Sequence, residues 1–228
     1  MTFRSKLVLA SVAIFATVLA IGVAQASNMG FKMNMIIQPL GTPAPKGQNF
    51  IALPYKNPYV TAVDVCTALG LSAATGKVTQ IKAGPAPAAT LSFNCGDLPG
   101  SAFTLLPRVG LVVNNSTAAG GIVVGSHASN PPGNVTLYPL GGFPLGQNRF
   151  PVPYHTTDIT ANDLCIDLGL PTASGKIVRT NASTGAQPSF NCSDLPGSAF
   201  NLVLGESVIV TFSGASPITV AAGHPAHF

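Results

Sequence analysis

The chain has 228 residues and a formal net charge of +4; only 8% of its residues are charged, while 24 are glycine and 20 are proline. Its eleven Lys and Arg are scattered, with no run or stripe that could follow a phosphate backbone, which argues against nucleic-acid binding. So little charge among so many turn formers suits a β-rich exported protein, or a surface built to pack against copies of itself.

Residues 1–26 read as a secretory signal peptide. Arg4 and Lys6 supply the positive start, Leu7 to Val23 an apolar run, and Ala24-Gln25-Ala26 a small-x-small cleavage site. Loss of Arg4 and Lys6 brings the net charge down to +2. No later stretch is long and apolar enough to span a bilayer, so no transmembrane span is expected after cleavage. The expected compartment is extracellular or the cell surface, with the periplasm as an alternative.

The rest of the chain reads as one unit written twice. Residues 27–33 form an N-terminal segment, 34–128 a first β-rich domain, 129–133 a linker and 134–228 a second β-rich domain. Asn34 to Leu40 matches Asn134 to Leu140, and GQNFIALPY at 47–55 matches GQNRFPVPY at 146–154. FNCGDLPGSAF at 93–103 and FNCSDLPGSAF at 190–200 agree at ten of eleven positions. Two long copies indicate tandem duplication of a domain, not a solenoid.

In chain order, alternating β-branched and apolar residues predict strands at Met35–Leu40 and Phe50–Pro54. A short helix follows, with Thr61 as N-cap, Asp64 at the third helical position of a capping box and Gly70 just past its end. Val65, Cys66 and Leu69 share its inward face. Further strands are expected at Lys77–Lys82, Thr90–Asn94, Gly110–Asn114 and Gly121–Gly125. In the second copy Thr160 and Asp163 repeat the cap, and Leu164, Cys165, Leu168 and Gly169 repeat the face and the stop. The repeated Asp therefore has a structural task, favouring the positive helix end.

Asp97, Pro99 and Gly100, with Asp194, Pro196 and Gly197, read as turn formers. An Asp side chain accepts from backbone two residues on, Pro fixes φ, and Gly permits a left-handed position. Phe50/Phe150, Phe93/Phe190 and Phe103/Phe200 read as paired core aromatics.

Four cysteines in an exported chain are expected to form disulfides. Because Cys66 corresponds to Cys165 and Cys95 to Cys192, the simplest pairing is one bridge per unit, Cys66–Cys95 and Cys165–Cys192. Each would contribute roughly 3–4 kcal/mol by restricting the unfolded chain.

No catalytic, cofactor or metal site emerges. There is no nucleophile elbow, Walker loop or dinucleotide fingerprint, and the seven acids are too dispersed for a calcium loop. His127 and His224 are equivalent terminal positions, His227 is the penultimate residue, and His155 with Asp158 is the one foothold for an enzyme. No enzyme activity and no cofactor are expected.

The layout of residues 49–55, 61–66 and 205–210 resembles a tandem-repeat, β-rich module of secreted bacterial proteins, largely uncharacterised. Such modules open with an N-W-hydrophobic-S-L-P strand and close with a G-E-G-Y strand. Here Phe50 and Phe150 stand where Trp is usual, and Gly205-Glu206-Ser207-Val208 replaces G-E-G-Y. The resemblance supplies no catalytic residue. The expectation is a mainly β protein of two homologous domains, each with one short helix and one intradomain disulfide. Its expected role is that of an extracellular structural or adhesive component at the cell surface, with assembly into a filament or layer as a special case. Its partners would be copies of itself or a cell-surface component. The alternative is a module binding carbohydrate or another ligand. Function is expected where the copies differ: 83–90, 114–119, 141–146 and 155–158.

Overall fold

The computed structural model describes residues 31–54, 56–84, 89–125, 134–141, 146–152 and 156–221. The signal segment, the linker, all four histidines, Tyr55 and Tyr154 lie outside the described residues.

The first domain contains strands β1 (Phe31–Ile37), β2 (Asn49–Ile51), β3 (Lys77–Lys82), β4 (Ala89–Asn94), β5 (Leu111–Asn114) and β6 (Ala119–Gly125), with helix α1 (Ala62–Ala68) between β2 and β3. The second repeats them as β7 (Val135–Leu137), β8 (Asn148–Pro151), α2 (Ala161–Asp167), β9 (Lys176–Val178), β10 (Ser189–Asn191), β11 (Ser207–Thr211) and β12 (Ile218–Val220). Each domain has a four-stranded antiparallel sheet, ordered β2-β5-β3-β4 and β8-β11-β9-β10. Each also has a two-stranded sheet, β1 with β6 and β7 with β12. The protein is thus mainly β, built of two homologous units.

The residues explain the elements. In β3, Val78 and Ile81 are buried, and so is Gln80, whose side chain exchanges hydrogen bonds with the Leu106 backbone at 3.0 and 3.3 Å. Each domain has its own core. The first is built around Ile37, Val65, Leu69, Val78, Phe93 and Val113; the second around Leu137, Phe150, Leu164, Ile177, Phe190 and Phe212. The helix contributes its Val65–Cys66–Leu69 face in one copy and Leu164–Cys165–Leu168 in the other, all buried. Gly70 and Gly169 then take left-handed backbone, φ +58° and +63°, where a Cβ would be strained.

Most strand boundaries differ from expectation by one to four residues: β1 ends at Ile37 instead of Leu40, and β4, β5 and β6 start at Ala89, Leu111 and Ala119. Two of the differences have a visible cause. β1 begins at Phe31, because Phe31 to Asn34 pair with Gly125 to Ile122, so residues 31–33 belong to the first domain's sheet. β2 ends at Ile51 instead of Pro54, because the Ala52 N–H is taken by Gly205 of the second domain at 2.8 Å.

A repeated asparagine ties the two sheets of each domain. Asn49 Nδ2 donates to the carbonyls of Gln38, Gly47 and Val113 at 3.0, 2.8 and 3.0 Å, and its Oδ1 accepts from Gln38 N at 2.8 Å. Asn148 makes the same four bonds with Tyr138, Gly146 and Val210. A buried amide so fully satisfied specifies the packing, and replacing it with an apolar residue would orphan several backbone groups. Among the described residues no helix is long and apolar enough to cross a membrane, which leaves membrane-spanning strands unaddressed.

Candidate functional site

The residues singled out by the repeat sit in structural positions. Cys66 and Cys95 are bonded at an S–S distance of 2.06 Å, Cys165 and Cys192 at 2.04 Å, each pair joining the helix to the strand end beyond it. Such bonds persist in oxidising compartments. Asp64 accepts from the backbone N–H groups of Val60 and Thr61, both at 2.8 Å. Asp163 does so from Ile159 at 3.2 Å and Thr160 at 2.9 Å, and Thr160 Oγ1 in turn accepts from Asp163 N at 3.3 Å. The backbone bonds from Thr61 and Val60 hold the Asp64 carboxyl below its ordinary pKa. For Asp163 burial pushes upward, but the Thr160 and Ile159 bonds prevail and its pKa is also lowered.

The Asp-Leu-Pro-Gly-Ser turns differ from expectation in two details. The Asp97 carboxylate accepts from the backbone and side chain of Asn94, three residues back, at 3.3 and 3.0 Å, and Asp194 does the same with Asn191 at 3.0 and 3.1 Å. Gly100 and Gly197 do not use left-handed backbone. Pro99–Ser101 and Pro196–Ser198 form single 3-10 turns, with a proline at the first turn fixing φ negative. Ser101 and Ser198 close them by donating to the Leu98 and Leu195 carbonyls at 2.7 and 2.8 Å. Leu98 and Leu195 themselves are 81% exposed.

The copies are not interchangeable where they meet. The sheet registers make Phe50 the equivalent of Arg149, and Ile51 that of Phe150, so the expected Phe50/Phe150 pair is one position out. Phe50 and Arg149 face each other across the seam, the guanidinium carbon 4.5 Å from the ring centroid. Beside them Gly110 N donates to Arg149 O at 2.8 Å, and Gly110 lies against its own counterpart, Ser207. Contacts between equivalent positions place a pseudo-twofold axis through the seam.

Two clefts flank that axis. The smaller, about 330 Å³, is lined by β1, β2 and the second domain's Arg179–Ser183 and Val203–Glu206. Its Arg179 is neutralised by Glu206 through a bidentate pair, Nε–Oε2 2.6 Å and Nη2–Oε1 3.1 Å. The larger, about 510 Å³, lies between the end of β3 with the loop before β5 and the second domain's β7 and β8. It is lined by Lys82, Arg108 and Arg149 and, among the described residues, by no acidic one. By register, Lys82 stands where the other copy has Asn181, Arg108 where it has Gly205, and Val109 where it has Glu206.

Arg149 is the least conventional residue of this cleft. Its Nε and Nη1 are buried and make no hydrogen bond. Loss of hydration lowers its pKa from the ordinary arginine range to about 10. The Phe50 ring face offsets part of that cost, on the order of 0.5–2 kcal/mol. Arg108 holds φ +57°, in a region where its counterpart Gly205 has +80°. A non-glycine residue there costs roughly 1–2 kcal/mol. Tyr138 closes one side, its ring against Gly84. The arrangement can receive negative charge against apolar walls formed by Leu106, Val109 and Val135.

No protein-family model, curated protein or solved structure matches the chain.

Of the segments where the copies differ, 83–84 line the larger cleft, while 85–88 and 142–145 lie outside the described residues. His155 lies outside them as well, and Asp158 is buried. Among the described residues no three His, Cys, Asp or Glu gather as metal ligands. Arg108 and Arg149 were not singled out from the sequence. The signal for Arg149 was available in GQNF against GQNR, and that for Arg108 in Arg108-Val109-Gly110 against Gly205-Glu206-Ser207.

Proposed function

We propose that this chain is an exported, non-enzymatic structural or adhesive protein of the cell surface or extracellular space. Its two stapled domains would act as one body offering the same contact twice. The observation that supports this is the pair Leu98 and Leu195. Every neighbour in the repeated block has a task inside its domain: a core aromatic, a disulfide half, a carboxylate over Asn, a 3-10 turn. The side chains of the two leucines have none, and both residues are 81% exposed. Ile159 and Val60, also equivalent, are 68% and 61% exposed. An exposed leucine buried on a partner contributes on the order of 1.5–3 kcal/mol, so two held in fixed relation give a useful contact.

The test is negative-stain microscopy and cell fractionation of the native material beside a Leu98→Ser/Leu195→Ser variant. The reading expects surface-bound or assembled material, lost in the variant without loss of folding. A monodisperse monomer at high concentration, with no surface or fibre association, sinks it.

A second reading, ligand binding, is favoured by the larger interdomain cleft. Its volume falls in the range of small-molecule sites.

A further inference from the structure

We infer that the cleft bounded by Lys82, Arg108, Tyr138 and Arg149 binds an organic carboxylate with an apolar body. The inference rests on the ligand-binding reading and names its ligand class.

The molecule contains two clefts that can be compared directly. Both arise from the same pair of domain surfaces across the pseudo-twofold axis, so the smaller is an internal control. There one cation, Arg179, meets one anion, Glu206, and the charge is closed. In the larger cleft Val109 replaces that acid, and three cations replace Asn181, Gly205 and Phe50. Where the smaller cleft holds a closed ion pair, the larger one thus sets Lys82 and Arg149 around a hollow with no acid among its described lining residues. The chain has only eleven Lys and Arg in all, which makes three around one cavity notable.

Chain stability alone does not account for this arrangement. A guanidinium whose Nε and Nη1 are buried without a hydrogen bond is unfavourable, and an arginine in left-handed backbone adds strain. Like charges brought together around a low-dielectric hollow focus positive potential into it. An anion entering the cleft would offset the electrostatic cost of the unbonded Arg149 nitrogens and of the gathered positive charge.

The walls narrow the class. Leu106, Val109 and Val135 offer hydrocarbon surface. Asn148 has its amide nitrogen committed to three backbone carbonyls, while Asn134, Thr136 and Tyr138 add polar groups to the lining. The cations, more than any shortage of hydrogen-bonding groups, favour an anion over a neutral polyol. A planar carboxylate suits guanidinium geometry, and an aliphatic or aromatic body suits the remaining wall.

The test titrates the isotopically labelled full chain with sodium octanoate, octanamide and sodium acetate, following amide NMR shifts. Octanoate should give saturable shifts at 81–84, 106–109 and 134–138, leaving 33–38 and 203–206 unmoved. Octanamide, lacking the charge, and acetate, lacking the body, should each bind at least about tenfold more weakly. Arg149→Gln should weaken octanoate by at least about tenfold. Should that variant misfold, Lys82→Gln, at an exposed position, should weaken it severalfold. Equal affinity for octanoate and either control, shifts confined to the smaller cleft, or no saturable shift at millimolar octanoate overturns the inference. A glycan array run alongside separates the two levels: capture of a neutral glycan without octanoate binding would discard the carboxylate and leave the ligand-binding reading standing.

Discussion

Gly110 and Ser207 occupy the same place in the two copies and touch each other, so the seam should respond to which of them carries a side chain. A Cβ built on Gly110 would lie 2.3 Å from Ser207 Cβ and 2.4 Å from Ser207 Oγ, and 3.4 Å from Arg149 O. The first two distances are well inside van der Waals contact, and Ser207 is 1% exposed, so it has no free space to move into. Gly110→Ser should therefore overpack the seam and disturb the 2.8 Å bond from Gly110 N to Arg149 O. Overpacking costs about 1–3 kcal/mol and a disturbed hydrogen bond about 1 kcal/mol, a loss of about 2–4 kcal/mol. Ser207→Gly alone should cost about 0.5–1 kcal/mol through backbone entropy. In the double variant the serine has merely changed sides, and the nearest remaining atom to its Cβ is Arg149 O at 3.4 Å. Stability should return to within about 1 kcal/mol of the parent, giving a coupling of at least about 1.5 kcal/mol in a double-mutant cycle. Urea unfolding of the four proteins measures it. Additive losses would refute the reasoning, because they would mean that the two positions do not meet.

Other outcomes follow from single contacts. Cys66→Ser/Cys95→Ser opens a bridge with sequence separation 29, and Cys165→Ser/Cys192→Ser one with separation 27. In the chain-entropy relation each removal costs about 3.6 kcal/mol, to be read from urea midpoints of the oxidised parent and each variant. Asp64→Ala and Asp163→Ala each remove a helix cap and should cost about 1 kcal/mol at neutral pH. Both carboxyls have folded-state pKa values below their ordinary values. Their stabilisation is therefore present above the unfolded aspartate pKa and is lost as pH falls through the depressed folded value. The gap between variant and parent should close in strong acid, as followed by thermal unfolding across pH.

What could be read from the sequence was local or repeated. Thr61 and Asp64 stand in a spacing whose hydrogen bonds form within four residues, and Cys66 and Cys95 are paired by the repeat itself. Gly100 was harder to read, because Pro-Gly serves a left-handed turn and a 3-10 turn equally well. Here the proline at the start of the turn and the Ser101 hydroxyl on the Leu98 carbonyl select the second. Asn49 and Asn148 gave no hint of their role, since their partners include Val113 and Val210, more than sixty residues away. Arg149 was hidden by a one-residue slip: matching phenylalanine to phenylalanine pairs Phe50 with Phe150, whereas the GQNF/GQNR match, like the strand register, sets Phe50 against Arg149. The larger cleft is a property of two domains meeting, and no periodicity within either announces it.

The central claim is that the two copies form one body, joined at a seam where they differ. Two amides report on it directly. Ala52 N bonds Gly205 O and Gly110 N bonds Arg149 O, both at 2.8 Å and both between domains. Native-state hydrogen exchange at these two positions should show protection comparable to that of Val78 and Val113 inside the first sheet. Exchange at the rate of an open chain, with the sheet amides still protected, would mean that the domains are tethered but separate, and would contradict the account.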